Sequence, residues 1–188
     1  LLTTAFHRKY PGVAVTILSM TSREIERGLE DFELDAGMTY LENEPLRGVK
    51  ALPLYDERYL LLTPAGGAFD GRRSVRWAEA AELPLCLLTP DMQNRRIVDA
   101  VFRRVRRTPR AAIETDSVMA LCSHVRFGQW SSVMPHTFPR LFPSLEGMLQ
   151  IPLVGPTVTQ KIGLVTPDRM PASPMARALT AIARSVRI

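Results

Sequence analysis

Residues Val13 to Tyr40, VAVTILSMTSREIERGLEDFELDAGMTY, decide the fold. Val13, Val15 and Ile17 alternate with Ala14, Thr16 and Leu18, so both faces of an extended segment are largely apolar. That is the pattern of a parallel strand covered by helices on each side. Thr21-Ser22-Arg23-Glu24 then makes a capping box: a hydroxyl and a carboxylate three residues apart, each placed to bond the other's backbone N–H. Ile25, Leu29 and Phe32 recur at i, i+4 and i+7, the buried stripe of a helix, and a second strand follows over Leu34 to Tyr40. Such a strand–helix–strand unit leaves its helix N-terminus at the carboxyl edge of the sheet, N–H groups and positive dipole end outward. Thr21 and Ser22 therefore have two readings: they line a site for a small anion, or they only cap a helix.

The alternation of strand and helix continues in both directions. Leu1, Leu2, Ala5 and Phe6 form a helical stripe that Tyr10-Pro11-Gly12 ends. Val49 to Leu54 and Arg58 to Thr63 read as two extended segments, and Trp77 to Leu83 as a short helix. Leu85 to Leu88 opens a second unit built like the first. It leads through the polar turn Thr89-Pro90-Asp91-Met92-Gln93-Asn94 into a helix with Ile97, Val98, Val101, Phe102 and Val105 on one face. Ala111 to Glu114, a helix from Val118 to Val125 capped by Asp116 or Ser117, and Ser132 to Met134 follow. Leu149 to Val154 and Val158 to Val165 are further strands, and Met175, Leu179, Ile182 and Val186 mark a last helix. The order predicts an α/β protein with mostly parallel sheets.

At 188 residues the chain has room for one domain or two small lobes, with 46% hydrophobic residues for the core. No apolar run reaches the length of a membrane span. The net charge of +5 is concentrated in Arg103, Arg104, Arg106, Arg107 and Arg110. These sit at a helix end, where cations suit the dipole, and carry no interleaved aromatics, so they read as a solvated face rather than a nucleic-acid surface. Cys86 and Cys122 lie in apolar surroundings and read as buried thiols of a reducing cytoplasm.

Little points to catalysis. His7 falls on a polar helix face. His124 follows Cys122 by two residues, so the two side chains point apart. His136 sits at a strand end, where α/β sites form, but has no nucleophile beside it. No residues have zinc-site spacing, and no phosphate-loop, dinucleotide or nucleophile-elbow motif occurs, so no metal or cofactor is expected. What remains is three polar sets at strand-to-helix turns: Thr21 with Ser22, Thr89 with Gln93 and Asn94, and His136 with Thr137. If two lobes face each other these edges converge, the setting in which small-molecule sites form.

The chain resembles the effector-binding domain of LysR-type transcriptional regulators. The likeness rests on Phe6-His7-Arg8-Lys9-Tyr10-Pro11-Gly12-Val13, on IERGLEDFELDAG from Ile25 to Gly37, on Pro53-Leu54-Tyr55-Asp56-Glu57, on Trp77 to Pro84 and on FGQWSSVMP from Phe127 to Pro135. The resemblance implies two Rossmann-like lobes of the type-2 periplasmic-binding-protein kind, joined by two crossovers near Pro84 and Val158. Lobe I would be residues 1–83 and 158–188, and lobe II residues 84–157. It implies a small-molecule effector in the cleft, with Ser22 and Thr21 holding its polar group, Tyr40 at the end of the second strand, and the loop Pro135 to Phe138 as the far wall. Gln129 and Trp130 replace the Gly-Ile usual before that wall. Further implications are a cytoplasmic homodimer or homotetramer, not bound to membrane, that contacts DNA only through an N-terminal helix-turn-helix. That element, a linker helix and a first strand are expected upstream of Leu1. The alternatives are a transporter's exported, monomeric solute-binding protein and an enzyme using His136.

Overall fold

The computed structural model describes residues 2–138 and 146–185. In chain order the elements are α1 (Leu2–Lys9), α2 (Ser22–Glu30), β1 (Gly37–Tyr40), β2 (Val49–Pro64), β3 (Val75–Arg76), α3 (Trp77–Ala80), β4 (Leu85–Leu88), α4 (Gln93–Arg104), β5 (Ala111–Thr115), α5 (Val118–Phe127), β6 (Ser132–Pro135), β7 (Met148–Val154), β8 (Thr159–Pro167) and α6 (Pro174–Ser185). Leu1 and Val186, assigned above to two helical stripes, lie outside the described residues.

Contacts divide the chain into two compact units, Leu1–Asp56 with Gln160–Ile188, and Glu57–Thr159. The second crossing falls beside the expected Val158. The first falls at Asp56/Glu57 rather than near Pro84, so residues 57–83 pack with the second unit. The cause is β2: the two extended segments on either side of Tyr55-Asp56-Glu57 form one sixteen-residue strand. Its second half enters the ladders of the second unit and takes β3 and α3 with it.

In the first unit β1 runs antiparallel to β8, Gly37 opposite Val165 and Tyr40 opposite Ile162, and β8 neighbours β2. Adjacent residues of a strand face opposite sides. Leu164 accordingly packs with Leu2 and Phe6 of α1 and Ile182 of α6, whereas Val165 packs with Ile25 and Leu29 of α2. Helix α2 lies so close to the sheet that a Cβ at Gly37 would stand 2.5 Å from Ile25 Cγ2.

Two expectations fail here. Residues 13–18 form no strand: among the described residues nothing pairs with them, and Val15, Ile17 and Leu18 are exposed. An apolar extended segment becomes a strand only where a neighbour supplies the ladder's hydrogen bonds. Phe32 is not in the helical stripe either. It is 70% exposed with φ of 66°, because α2 ends at Asp31 and the chain turns left-handed there.

In the second unit β2 pairs antiparallel with β6 and with β7, and β3 pairs parallel with β7. β4 pairs parallel with β5, and Leu85 bridges in parallel to Ser131 just before β6. The mostly parallel arrangement expected thus holds around β4 and between β3 and β7, but not where β2 pairs with β6 and β7 or β8 with β1. One core cluster joins Leu62, Cys86, Leu121, Cys122, Val125 and Met134 under α5. Trp77, fully buried, stacks edge-on against Tyr59 and Phe102, and its indole N–H donates to the Pro156 carbonyl at 3.0 Å.

Candidate functional site

The predicted polar residues fall into two groups, one in each unit. In the first, Thr21 is the N-cap of α2 and the capping box is complete. The Glu24 N–H donates to Thr21 Oγ1 at 3.3 Å, and Glu24 Oε2 accepts from the Thr21 N–H at 2.7 Å and from its hydroxyl at 2.8 Å. The helix thus supplies its own carboxylate where a ligand anion would sit. Ser22 is buried, its Oγ 3.4 Å from Thr39 Oγ1 on β1. Tyr40, one residue on, is half-buried at the strand end. Thr39 escaped the sequence reading because nothing local marks a strand threonine as the partner of a helix serine.

In the second unit β4 and β5 run parallel, and the bridge from Leu85 to Ser131 aligns the chain entering β6 with them. Their carboxyl ends therefore leave one edge, carrying Thr89, Thr115 and His136. The Thr89 N–H donates to the Thr115 carbonyl at 3.1 Å. Thr89 Oγ1, by contrast, is buried and has no hydrogen-bond partner. Helix α4 starts beyond that turn with Gln93 buried and Asn94 half-buried. Its N-cap is Met92, whose side chain offers no cap, and its first turn holds no acidic residue. The neighbouring helix α5 is capped, Ser117 Oγ accepting from the Ala120 N–H at 3.3 Å. So of the three longer helices that follow these turns, α4 alone lacks a side-chain cap on its N-terminus.

Two arginines brace that end. Arg95, its side chain 10% exposed, donates to the Leu88 carbonyl at 2.6 Å, to Glu114 at 2.7 Å and to both oxygens of Asp99 at 2.9 and 3.0 Å. Burial works against its charge, but the bonds from Glu114 and Asp99 prevail and hold its pKa above the ordinary guanidinium value. Arg96 donates to the carbonyls of Pro90 and Asp91. Cations in a first turn oppose the helix dipole. That misfit is readable in the sequence and was missed there.

His136 and Thr137 follow β6, both half-buried. His136 exchanges a bond pair with Arg58: its N–H donates to the Arg58 carbonyl at 2.8 Å, and Nδ1 accepts from the Arg58 N–H at 3.0 Å. His124 bonds the Ala120 carbonyl at 2.7 Å and meets Trp130 edge-on, away from Cys122. Among the described residues no cluster of His, Cys, Asp and Glu could hold a metal, and no helix is long and apolar enough to cross a membrane.

The LysR substrate binding domain model matches residues 1–187. The chain belongs to that family. A Mycobacterium avium protein described as a probable hydrogen peroxide-inducible genes activator is 35% identical over 78 residues, 42% of this chain and 25% of that protein. Full-length OxyR from Pseudomonas aeruginosa superposes with a TM-score of 0.84 at 22% identity, over 99% of this chain and 63% of that one. The effector-binding domain of QuiR, solved with shikimate, gives 0.80 at 16% identity over 97% and 86%. The chain therefore spans a quarter of the curated relative and under two thirds of full-length OxyR. As a LysR substrate-binding domain it has the α/β, type-2 periplasmic-binding-protein-like fold.

Proposed function

We propose that this LysR domain senses a small anionic metabolite whose charged group sits at the N-terminus of α4. One observation carries the reading: that helix end has no side-chain cap and no acid in its first turn, and lies beside the orphaned hydroxyl of Thr89. A buried hydroxyl without a partner is costly unless a ligand or water completes it, and a helix N-terminus favours an anion. Gln93, Asn94 and His136 place further polar side chains at that edge. Thr21, Ser22 and Tyr40 are proposed as further effector contacts, as the family resemblance implies. With the α2 dipole already answered by Glu24, their role is to bind the ligand's neutral hydroxyl or carbonyl groups.

The domain is proposed to be regulatory rather than catalytic, within a cytoplasmic homodimer or homotetramer whose DNA contacts belong to another domain. Ligand changes the regulator's state only by binding one arrangement better than another. The shikimate held by the QuiR domain, a small carboxylate, fits the proposed class. Calorimetric titration of small carboxylates and phosphates against the wild type and Thr89→Val tests this. Saturable binding weakened about tenfold by the variant is expected, a loss of about 1.4 kcal/mol. Equal binding by both proteins would overturn the assignment.

A further inference from the structure

The sheet of the first unit packs with α2 on one face and with α1 and α6 on the other. The second face carries a hollow that holds none of the effector residues. On β8, Leu164 packs with α1 and α6, and Thr166, two residues on, shares its face. On the neighbouring β2, Leu52 and Leu54 join the same cluster, so Lys50 shares that face too. Along α6, Arg177, Thr180, Ala181 and Arg184 follow at i, i+3, i+4 and i+7, one stripe beside the buried Ala176 and Ala183.

These three elements enclose about 320 Å3, enough for a small molecule. Leu52 and Leu164 give it an apolar wall, and Ala172, Ala176 and Ala181 leave it open because their side chains are short.

The charges in its walls are of one sign. Lys50, Arg177 and Arg184 line it, and no acidic residue does. Lys50 pairs with Asp168 at 2.8 Å, but both side chains are more than half exposed. Such a pair contributes little and leaves the ammonium with further N–H donors. Arg177 and Arg184 meet no carboxylate among the described residues. Arg184 stands in the last turn of α6, where a cation suits the dipole. Arg177 stands in the first turn, against it, so the helix does not explain its charge. Thr180 spends its hydroxyl proton on the Ala176 carbonyl at 2.7 Å. The half-buried Thr166 has no side-chain partner among the described residues, and its hydroxyl is available to donate.

We propose that this hollow binds the phosphate group of a small, otherwise neutral phosphomonoester. Two guanidinium groups and an ammonium answer a dianion, where a single carboxylate would leave cations unanswered. Thr166 donates to a phosphate oxygen, and the leucine and alanine walls take the carbon body. The proposal does not rest on the α4 reading, which concerns the other unit.

Its test is an amide-resolved NMR titration with glycerol 3-phosphate, with inorganic phosphate, acetate and glycerol as comparison probes. The ester is expected to shift the N–H signals of Ala51, Thr166 and Arg177. Acetate and glycerol should bind at least about tenfold more weakly, and inorganic phosphate about threefold more weakly. Arg177→Gln should weaken the ester about tenfold and Thr166→Val about fivefold. Arg177 is exposed and valine suits a strand, so both variants fold. A diffuse pull of surface cations on any anion would respond to Arg177→Gln and not to Thr166→Val. Unchanged affinity in Thr166→Val would therefore overturn the proposal. So would acetate or inorganic phosphate binding as tightly as the ester, or shifts confined to Gln93 and Asn94.

Discussion

The Arg95 guanidinium donates to the Leu88 carbonyl at 2.6 Å, tying the first turn of α4 to the last residue of β4. With Glu114 on the same nitrogen, Nη1, and Asp99 on Nε, it fixes the Thr89 turn from three elements. Arg95→Met should cost about 2 kcal/mol, since it strips a bond from a buried carbonyl and leaves two partly exposed carboxylates unpaired. Urea unfolding of the two proteins measures this, and a change under about 0.5 kcal/mol would show that the turn holds without its clamp.

Thr89→Val separates stability from binding. It removes a hydroxyl that the protein itself leaves unsatisfied. The ligand-free protein should become more stable by up to about 1 kcal/mol while losing anion affinity. Thermal melts with and without ligand read both, and a destabilised ligand-free variant would mean that the hydroxyl has a structural partner.

Thr21→Ala tests the opposite case. The box with Glu24 is closed, so the substitution should cost about 1 kcal/mol of stability and leave intact the binding at α4 of oxalate, which has no neutral group for Thr21 to meet. Calorimetric unfolding and titration of one preparation give both values.

The buried thiols make stability pH-dependent on the alkaline side. Desolvation, with Cys86 adding to it, pushes the Cys122 thiol up to about 11, and burial raises Cys86 as well. An unfolded cysteine ionises near about 8.5. Between these values the unfolded chain has lost a proton that the folded chain keeps, so stability falls as pH rises through that window. The loss should be on the order of 2 kcal/mol by about pH 11, and smaller in Cys122→Ala. Urea melts at several pH values check it, and a loss of equal size in the variant would assign the effect elsewhere.

Local pattern carried the elements far better than the pairing. The stripes of α4, α5 and α6 and the strand Leu85 to Leu88 were legible because periodicity is a property of a few neighbouring residues. The pattern of Val13 to Leu18 was legible too, but a ladder needs a partner that the segment cannot specify, and none of the described residues supplies it. Phe32 fits the helical spacing and still leaves the core, because a single left-handed residue cancels the spacing. The first crossing was misplaced because Pro53-Leu54-Tyr55-Asp56-Glu57 looks like a break and is instead mid-strand. For the site, the turns were visible but their state was not. Thr21 and Ser117 are caps in use, whereas Thr89 is an unused hydroxyl beside an uncapped helix, and only coordinates separate the two.

The most direct test is an amide-resolved titration of the 188-residue chain with oxalate, a compact anion. The account predicts saturable shifts greatest at Gln93, Asn94 and Arg95, reduced in Thr89→Val. Shifts greatest at Ser22 and Arg23, or none that saturate, would contradict it.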